Sequence, residues 1–299
     1  MIQRRTVLIL GAGSSVPYGL PTGRELLLQT AEMLRSGNQV ILDLFRQLEI
    51  PTEAPGAFAL LLLESMQPSV DAFLENQPKF LRVGKAAIAA ALIPREIQRT
   101  IEQRDSHMNW YEYLFHQLGP NTTDFEQSHL TVVTFNYDRS LEYFLYNALA
   151  RAFLMDHDGT LALYSRTPII HLHGSLGAPH FISTEGRTYS TRLDLKSLSI
   201  ASSGIRIPRA EEIDETPFHL AAEAINEAEV LCFLGFGYLP QNIRRLGIQR
   251  AEERSIFGSA FHLPKNDISR AQREIPGHVA FGTYEQESLA FMQNYPVFE

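Results

Sequence analysis

Apolar residues along this chain follow two periods, and the two periods alternate from one segment to the next. Residues 7–10 are four consecutive aliphatic residues, and Gly11-Ala12-Gly13-Ser14-Ser15 follows them directly. Such a run is typical of a short buried strand, and the glycines indicate a sharp turn after it. Thr22 and Glu25 have the spacing of a capping box, so we expect a helix to begin there.

The long segment 38–127 carries a helical period and no strand pattern. Helical stretches cover residues 40–48, 57–66, 84–104 and 109–118, and Pro94 interrupts the third. Because no strand is indicated here, the segment predicts a helical insertion lobe. We therefore predict a Rossmann-like domain formed by residues 1–37 and 128–299, with residues 38–127 as the lobe.

The alternation of strands and helices resumes after residue 128. Strands are predicted at residues 130–135, 168–172, 229–234 and 259–263, and helices at residues 139–151, 219–228, 242–251 and 286–293. Thr216 is the predicted N-cap of the second of these helices, with Pro217 after it, and residues 176–216 are predicted to form a mobile loop with short elements. Alternating strands and helices predict an α/β fold with a doubly wound, mostly parallel sheet.

Composition narrows the class of protein. The chain has 299 residues, 44% of them hydrophobic, and a net charge of −8, which is typical of soluble globular proteins and argues against nucleic-acid binding. The single cysteine, Cys232, lies in an apolar run and excludes both an intramolecular disulfide and a four-cysteine zinc site. No apolar run reaches the length of a membrane span or a signal-peptide core, so we expect a cytoplasmic protein.

The first four predicted strands each end in residues that are suited to contact a ligand. The first strand runs into the glycine turn, and the next three run into Asn136-Tyr137-Asp138, His173-Gly174-Ser175 and Gly235-Phe236-Gly237-Tyr238. In parallel sheets of this class, ligands bind outside the carboxyl ends of the strands. We therefore expect these four segments to meet at one site.

The glycine turn after the first strand matches a dinucleotide fingerprint only in part. Gly11 and Gly13 fit the first two glycines of that motif, but Val16 occupies the third position. No second strand follows at the distance where a dehydrogenase carries its acidic residue. The turn favours a bound nucleotide but not an ordinary dehydrogenase. The alternative is that the glycines only let two elements pack closely.

Together, the four strand ends resemble the sirtuin-like NAD-binding family. The glycine turn with Gly19-Leu20-Pro21 is similar to the first motif of that family, and Thr134-Phe135-Asn136-Tyr137-Asp138 is similar to its Thr-Gln-Asn-Ile-Asp motif. His171-Leu172-His173-Gly174-Ser175 resembles its catalytic His-Gly motif. The turn at residues 235–238 stands where the family has a Gly-Thr-Ser-type turn, and the matches span residues 6–263.

The departures from the family decide which activity the resemblance implies. The deacylase branch has a four-cysteine zinc module and an Asp-Phe-Arg segment after Gly-Leu-Pro, whereas this chain has one cysteine and Thr22-Gly23-Arg24. The resemblance therefore implies the bacterial branch that hydrolyses NAD, often as an effector of anti-phage defence. The implied activity is that of an NAD glycohydrolase, with NAD as substrate. The alternatives are a module that senses NAD or ADP-ribose without cleaving it, and an NAD-dependent deacylase or ADP-ribosyltransferase.

Three polar residues at the strand ends are the candidate catalytic groups. The amide of Asn136 suits a ribose hydroxyl or the attacking water, and His173 can accept a proton near neutral pH. Asp138 could orient that pair or cap the helix that follows it. Asn136 could equally be a turn residue, and His173 a structural hydrogen-bonding group. His171 is expected to pack behind the site, and because no third ligand is spaced to join the two histidines, we expect no metal.

The remaining candidates would bind the nucleotide. Those expected near the phosphates are the backbone of Gly11, Ala12 and Gly13, the hydroxyls of Ser14 and Ser15, and the guanidinium of Arg24. Those expected near the adenosine are Gly235, Phe236, Gly237 and Tyr238, with Asn266 as a weaker candidate. Asn242 is expected to cap its helix instead.

An enzyme that destroys NAD must be restrained in its own cell. We expect the helical lobe or the loop at residues 176–216 to gate the site. A homo-oligomer and a separate regulatory partner protein are also expected, whereas nucleic acid and membrane are not expected as partners.

Overall fold

The computed structural model describes residues 1–102, 109–208, 210–211, 214–251 and 253–299. A single sheet of six strands runs through it, formed by β1 (Thr6–Leu10), β2 (Leu130–Thr134), β3 (Ile169–His171), β4 (Val230–Leu234), β5 (Ser255–Gly258) and β6 (Val279–Phe281). The strands lie in the order β3-β2-β1-β4-β5-β6, and every neighbouring pair is parallel. The predicted α/β fold with a Rossmann-like sheet is confirmed.

The central strand, β1, determines where the site lies. All five of its residues are buried, because strands flank both of its edges and helices cover both faces of the sheet. Leu10 pairs with Thr134 of β2 on one side and with Leu234 of β4 on the other, so the three strands end at the same level. The strand order reverses at β1, and such a switch point opens a crevice at the carboxyl ends of the strands.

Helices occupy about half of the described chain. Between β1 and β2 lie α1 (Gly23–Arg35), α2 (Gln39–Gln47), α3 (Ala54–Glu64), α4 (Val70–Asn76), α5 (Leu81–Leu92), α6 (Gln98–Glu102), α7 (Trp110–Leu118) and α8 (Thr122–Glu126). After β2 lie α9 (Ser140–Phe153), α10 (His157–Tyr164), α11 (Leu195–Gly204), α12 (Thr216–Glu227), α13 (Pro240–Arg245), α14 (Lys265–Glu274) and α15 (Ser288–Asn294). Short 3-10 helices cover Ala12–Tyr18, Pro78–Phe80 and Ile93–Arg95.

Helix α1 begins where the capping box predicts. The Thr22 hydroxyl accepts a hydrogen bond from the backbone N–H of Glu25, and the Glu25 carboxylate accepts one from the backbone N–H of Thr22 at 2.8 Å. Each side chain therefore satisfies a backbone donor that the first turn of a helix leaves unpaired. The prediction of a helix beginning at Thr22 is confirmed.

The described part of the segment 38–127 is helical, but its helices contribute to two different hydrophobic cores. Helices α2–α5 pack with α1 around buried residues such as Phe45, Phe58 and Phe73, and α11 from later in the chain joins them through Leu198. Helices α7 and α8 instead pack against α9 and one face of the sheet, through Trp110 and other buried residues. Helix α12 covers the opposite face of the sheet. The division into domains at residues 37/38 and 127/128 stays a prediction.

Two predicted elements in the C-terminal part of the chain are wrong. The strand predicted at residues 259–263 is a turn, and β5 (Ser255–Gly258) precedes it. The apolar character of residues 260–263 has another cause, because Ala260 is fully buried and Phe261 and Leu263 line a cleft. The helix predicted at residues 242–251 ends with α13 at Arg245, since Gly247 turns the chain with a φ of +59°.

Other differences concern boundaries and short elements. The loop predicted at residues 176–216 contains α11, which buries Leu198 and Ala201; its residues 209, 212 and 213 lie outside the described residues. Thr216 is the first residue of α12 instead of its N-cap. The helix predicted at residues 84–104 is divided at Pro94 into α5 and α6, and residues 103–104 lie outside the described residues. The edge strand β6 is only three residues long and was not predicted.

Candidate functional site

A cleft of about 310 Å³ lies along the carboxyl ends of the strands. Residues that follow five different strands line it: Gly11 after β1, Asn136 after β2, His173 after β3, Gly235 after β4 and Ser259 after β5. This volume is within the range of small-molecule sites, and the position is where parallel sheets of this type bind ligands. The structure therefore brings Asn136 and His173, predicted as a catalytic pair, to one cleft.

The side chain of Asn136 is held by the turn after β1. Its Nδ2 donates hydrogen bonds to the carbonyl oxygen of Gly11 at 3.1 Å and to Oγ of Ser15 at 3.1 Å. Its backbone N–H donates to Oγ1 of Thr134 at 3.0 Å. Because the Gly11 carbonyl can only accept, the amide must point its NH₂ group at the turn. Its Oδ1, which has no hydrogen-bond partner among the described residues, is left as an acceptor for a ligand.

Asp138 supports Asn136 through Ser15 rather than from within the cleft. Ser15 donates its hydroxyl proton to Oδ2 of Asp138 at 2.8 Å, while its oxygen accepts from Asn136. The other carboxylate oxygen of Asp138 accepts from the backbone N–H and the hydroxyl of Ser140, at the start of α9. Burial raises the pKa of Asp138, although its hydrogen bonds oppose that shift. The carboxylate thus contacts Asn136 indirectly, through Ser15, and also contacts the start of the following helix.

A second, smaller cavity of about 70 Å³ adjoins the cleft. It shares Ala12, Gly23, Asp71, Phe135 and Asn136 with the cleft. Its other lining residues come from the 3-10 segment, the turn after it, α1, α5 and the segment after β2: Ser15, Leu20, Pro21, Leu26, Leu92, Tyr137 and Asp138. Asn136 therefore lines both the cleft and the smaller cavity beside it.

His171 holds the main chain of Asn136 from behind. Its Nδ1 lies 2.9 Å from the backbone carbonyl oxygen of Asn136, and its Nε2 lies 2.6 Å from Oε1 of Glu142 on α9. Burial opposes a charge on this ring, but the Glu142 carboxylate, together with the Asn136 carbonyl and the nearby Asp138, outweighs burial, so the pKa of His171 is raised. An imidazolium fits both contacts, because both of its ring nitrogens donate. His171 therefore packs behind the site, where it was expected.

His173 is buried at the edge of the cleft, with only 4% of its surface exposed. Its ring meets that of Phe135 edge to face, with 5.3 Å between the centroids. Burial lowers the pKa of His173 to about 4, although the nearby Asp71 carboxylate opposes this shift. The imidazole is therefore neutral at pH 7. Its Nε2 is buried and has no hydrogen-bond partner among the described residues.

The two glycine turns pack against each other, backbone to backbone. The N–H of Gly11 donates to the carbonyl of Leu234, and the N–H of Gly13 donates to that of Gly235, both at 3.0 Å. A Cβ at Gly11 would lie 2.6 Å from the Gly235 oxygen, and one at Gly235 would lie 1.9 Å from the Ser14 nitrogen. The alternative reading of these glycines, close packing, therefore accounts for much of the motif. The N–H groups of Gly11 and Gly13 are already used and are not available to a phosphate.

Several residues predicted to bind the nucleotide lie elsewhere. The Ser14 hydroxyl is buried and donates to the Gly11 carbonyl at 2.8 Å. Arg24 is exposed on α1 and does not line the cleft. Tyr238 is fully buried and donates to the backbone oxygen of Ser259 at 3.1 Å, so its ring packs in the core below the cleft. Asn266 is exposed on α14, also outside the cleft.

Six of the residues predicted to bind the nucleotide do line the cleft: Gly11, Ala12, Gly13, Gly235, Phe236 and Gly237. Phe236 is itself largely buried, and its ring is tilted against that of Phe135 with 5.3 Å between the ring centroids. Asn242 also lines the cleft: it lies inside α13, whose first turn has no side-chain cap. The expectation that Asn242 caps its helix is therefore wrong.

Sequence reasoning missed Asp71, the one charged carboxylate that lines the cleft within the described residues. It lies near the start of α4, where its Oδ1 accepts a hydrogen bond from the Tyr137 hydroxyl and lies 3.9 Å from Nδ1 of His173. No motif marks this residue, because its contact with the sheet depends on how the helices of the 38–127 segment pack.

The sequence matches no protein-family model and no curated protein sequence. The likeness to sirtuin-like proteins therefore stays a resemblance carried by the four strand-end motifs. Among the described residues, no three His, Cys, Asp or Glu side chains are grouped so that they could hold a metal ion. Within the same residues, no helix combines the length and apolar character that crossing a bilayer requires.

Proposed function

We propose that this protein is an NAD glycohydrolase that cleaves the bond between nicotinamide and ribose and releases nicotinamide and ADP-ribose. One observation carries the proposal: Asn136 and His173 follow different strands, yet both line one cleft beside the glycine turns. Asn136 lies in the segment that resembles the Thr-Gln-Asn-Ile-Asp motif of the family, and His173 lies in the segment that resembles its catalytic His-Gly motif. Close packing of the turns explains the glycines, but it does not explain an amide and a neutral imidazole at the same cleft.

The reaction needs an acceptor for a proton and a favourable environment for positive charge. The C1′–N1 bond breaks, its electron pair moves to N1 of the pyridinium, and nicotinamide leaves as a neutral base. Positive charge then develops on the ribose, where a carboxylate and amide oxygens stabilise it. Among the described residues that line the cleft, Asp71 is the acidic one, and its negative charge suits both the pyridinium and the developing cation.

Water completes the reaction at C1′. Its oxygen forms the new bond to carbon, and one of its protons must leave. The neutral His173 can accept that proton at Nε2, and Oδ1 of Asn136 can accept a hydrogen bond from the same water or from a ribose hydroxyl. The proton then passes to solvent, so the sum is NAD⁺ and water giving nicotinamide, ADP-ribose and H⁺.

The resemblance also carries the biological role that we propose with this activity, as a bacterial effector of anti-phage defence. Depletion of NAD would then limit the spread of infection. Restraint by self-assembly and by a regulatory partner protein belongs to the same proposal. Its test is survival of phage-infected bacteria that express the wild-type chain, compared with bacteria that express Asn136→Ala.

The activity is tested by nicotinamide release from NAD by the purified full chain. We expect release by the wild type and its loss in Asn136→Ala and His173→Ala, with folding retained. His219→Ala is the matched control, because this histidine lies on α12 with 79% of its side chain exposed. Binding of NAD by calorimetry with no release over hours would favour the sensing module. Release only in the presence of an acyl-lysine peptide or a protein acceptor would favour a group-transfer enzyme.

A further inference from the structure

Asp71 joins the helical segment to the candidate base of the sheet. Its carboxylate lies 3.9 Å from Nδ1 of His173, and the Tyr137 hydroxyl donates to the same oxygen, Oδ1. Only 22% of the Asp71 side chain is exposed. The carboxylate is therefore held in place beside a histidine that comes from the far edge of the sheet.

The neutral imidazole of His173 carries one proton, and its surroundings decide which nitrogen holds it. A carboxylate faces Nδ1, whereas Nε2 is buried without a partner among the described residues. An N–H placed on Nδ1 is attracted by the carboxylate, but a lone pair there is repelled by it. The favoured tautomer therefore carries its proton on Nδ1 and leaves the lone pair on Nε2.

We propose that Asp71 is the positioning residue for His173: it holds the imidazole in the Nδ1–H tautomer, so that Nε2 is the proton acceptor. This inference rests on the proposed function for its catalytic meaning, but the tautomer itself can be measured without turnover. When Nε2 takes a proton from the attacking water, the ring becomes an imidazolium whose Nδ1–H faces the carboxylate. Asp71 then stabilises the charge that forms.

The other charged and titratable groups around His173 also indicate that Asp71 is the carboxylate that acts on the imidazole. Helix α4 contributes Glu75 as well as Asp71, and α13 contributes Arg245, which pairs with Glu75 at 2.6 Å. Tyr137, after β2, directs its hydroxyl to Asp71. Glu75 is thus occupied by Arg245, and Asp71 is the carboxylate left to face the imidazole.

The test compares Asp71→Asn with the wild type by long-range ¹H–¹⁵N spectra of histidine-labelled full chain. The His173 resonances are assigned from their loss in His173→Gln. Asparagine keeps the size of the side chain and an oxygen that can accept from Tyr137, but it removes the charge. We expect the Nδ1–H tautomer in the wild type and a shift of the equilibrium towards Nε2–H in the variant. A wild-type ring protonated at Nε2, or an unchanged tautomer in the variant, would overturn the proposal.

Nicotinamide release then measures the catalytic consequence. We expect kcat to fall about 100-fold in Asp71→Asn, within the range that proton transfer by a positioned group contributes. Asp71→Glu, which restores the charge, should recover part of the loss. Asp43→Asn is the matched control, because this exposed aspartate lies on α2 of the same helical segment, outside the cleft. A wild-type kcat in Asp71→Asn overturns the inference alone, whereas no release by the wild type overturns the proposed function and leaves the spectra to decide the tautomer.

Discussion

His171 and His173 lie two residues apart, but the first is paired through both ring nitrogens and the second has a buried nitrogen with no partner among the described residues. The Glu142 carboxylate raises the pKa of His171, whereas burial lowers the pKa of His173 to about 4. The pKa values of these two neighbouring histidines are thus shifted in opposite directions. The ring of His171 holds the main chain of Asn136, and the neutral ring of His173 is suited to accept a proton.

The pKa of His173 predicts a loss of stability in acid. Between the ordinary histidine pKa of about 6.5 and the folded value of about 4, the unfolded chain binds a proton that the folded chain does not. The unfolding free energy therefore falls as the pH falls, by about 3 kcal/mol once the pH is below the folded pKa. His173→Gln removes this term. The difference in unfolding free energy, wild type minus His173→Gln, should therefore fall as the pH falls from 7.5 to 4.5 in urea titrations. A difference that does not change with pH would contradict a buried neutral imidazole.

The raised pKa of His171 predicts the opposite dependence of stability on pH. Its folded pKa is raised, so the contribution of the ion pair with Glu142 is fully present below about pH 6.5 and is lost as the pH rises through the folded value. The difference between wild type and His171→Gln should therefore be largest in mild acid and shrink in alkali. The same urea titrations, extended to pH 9, measure it. A difference that grows with pH would mean that His171 is neutral in the folded protein.

A buried ion cluster next to the site should contribute strongly to the stability of the fold. Glu96 is fully buried and accepts hydrogen bonds from Arg139, which follows Asp138, and from Arg187. Burial raises the pKa of Glu96 even though both guanidinium groups oppose the shift. The two arginines also donate to backbone carbonyls of the segment after His173, including those of Gly177 and Leu176. The cluster therefore ties this segment to the start of α9.

Replacing Glu96 with glutamine leaves two buried guanidinium groups without their carboxylate. We expect the unfolding free energy to fall by about 3–5 kcal/mol, which is typical of breaking a buried ion pair. Glu102→Gln is the control, because its pair with Arg151 is largely exposed and should contribute less than about 1 kcal/mol. Chemical denaturation of both variants makes the comparison, and equal losses would show that burial does not set the strength of the Glu96 cluster.

The meeting of Asn136 and His173 could be predicted because it depends on local pattern and one general rule. Apolar runs marked β2 and β3, and parallel strands place their carboxyl ends at one edge of the sheet. Asp71 could not be found in this way, since it reaches the cleft only through the packing of α4 beside the sheet. Tyr238 was misjudged for a related reason: a ring beside a glycine turn can face the core as readily as the cleft, and here it is buried.

The glycine motifs illustrate a different limit. Their spacing predicts a close approach of backbone, but it does not say what approaches. In the structure the closest partner of the first turn is the second turn, through the hydrogen bonds of Gly11 and Gly13 to Leu234 and Gly235. A nucleotide and a neighbouring loop place similar demands on a glycine. Only the three-dimensional arrangement distinguishes them.

The two glycines of the second turn differ in ways that make a matched pair of variants. Gly235 has a φ of +58°, and a Cβ there would lie 1.9 Å from the backbone nitrogen of Ser14, which cannot move without disturbing the 3-10 segment. Gly237 has no neighbour within 4 Å of its Cβ position. Gly235→Ala should therefore lower the unfolding free energy by several times the roughly 1 kcal/mol that an uncrowded left-handed residue costs.

Because the clash in Gly235→Ala separates the turns that flank Asn136, nicotinamide release should also be lost in this variant. Gly237→Ala should stay close to the wild type in stability, so that any change in its KM for NAD reports on contact with the ligand. Equal destabilisation of the two variants in thermal or urea unfolding would contradict the packing of the two turns described above.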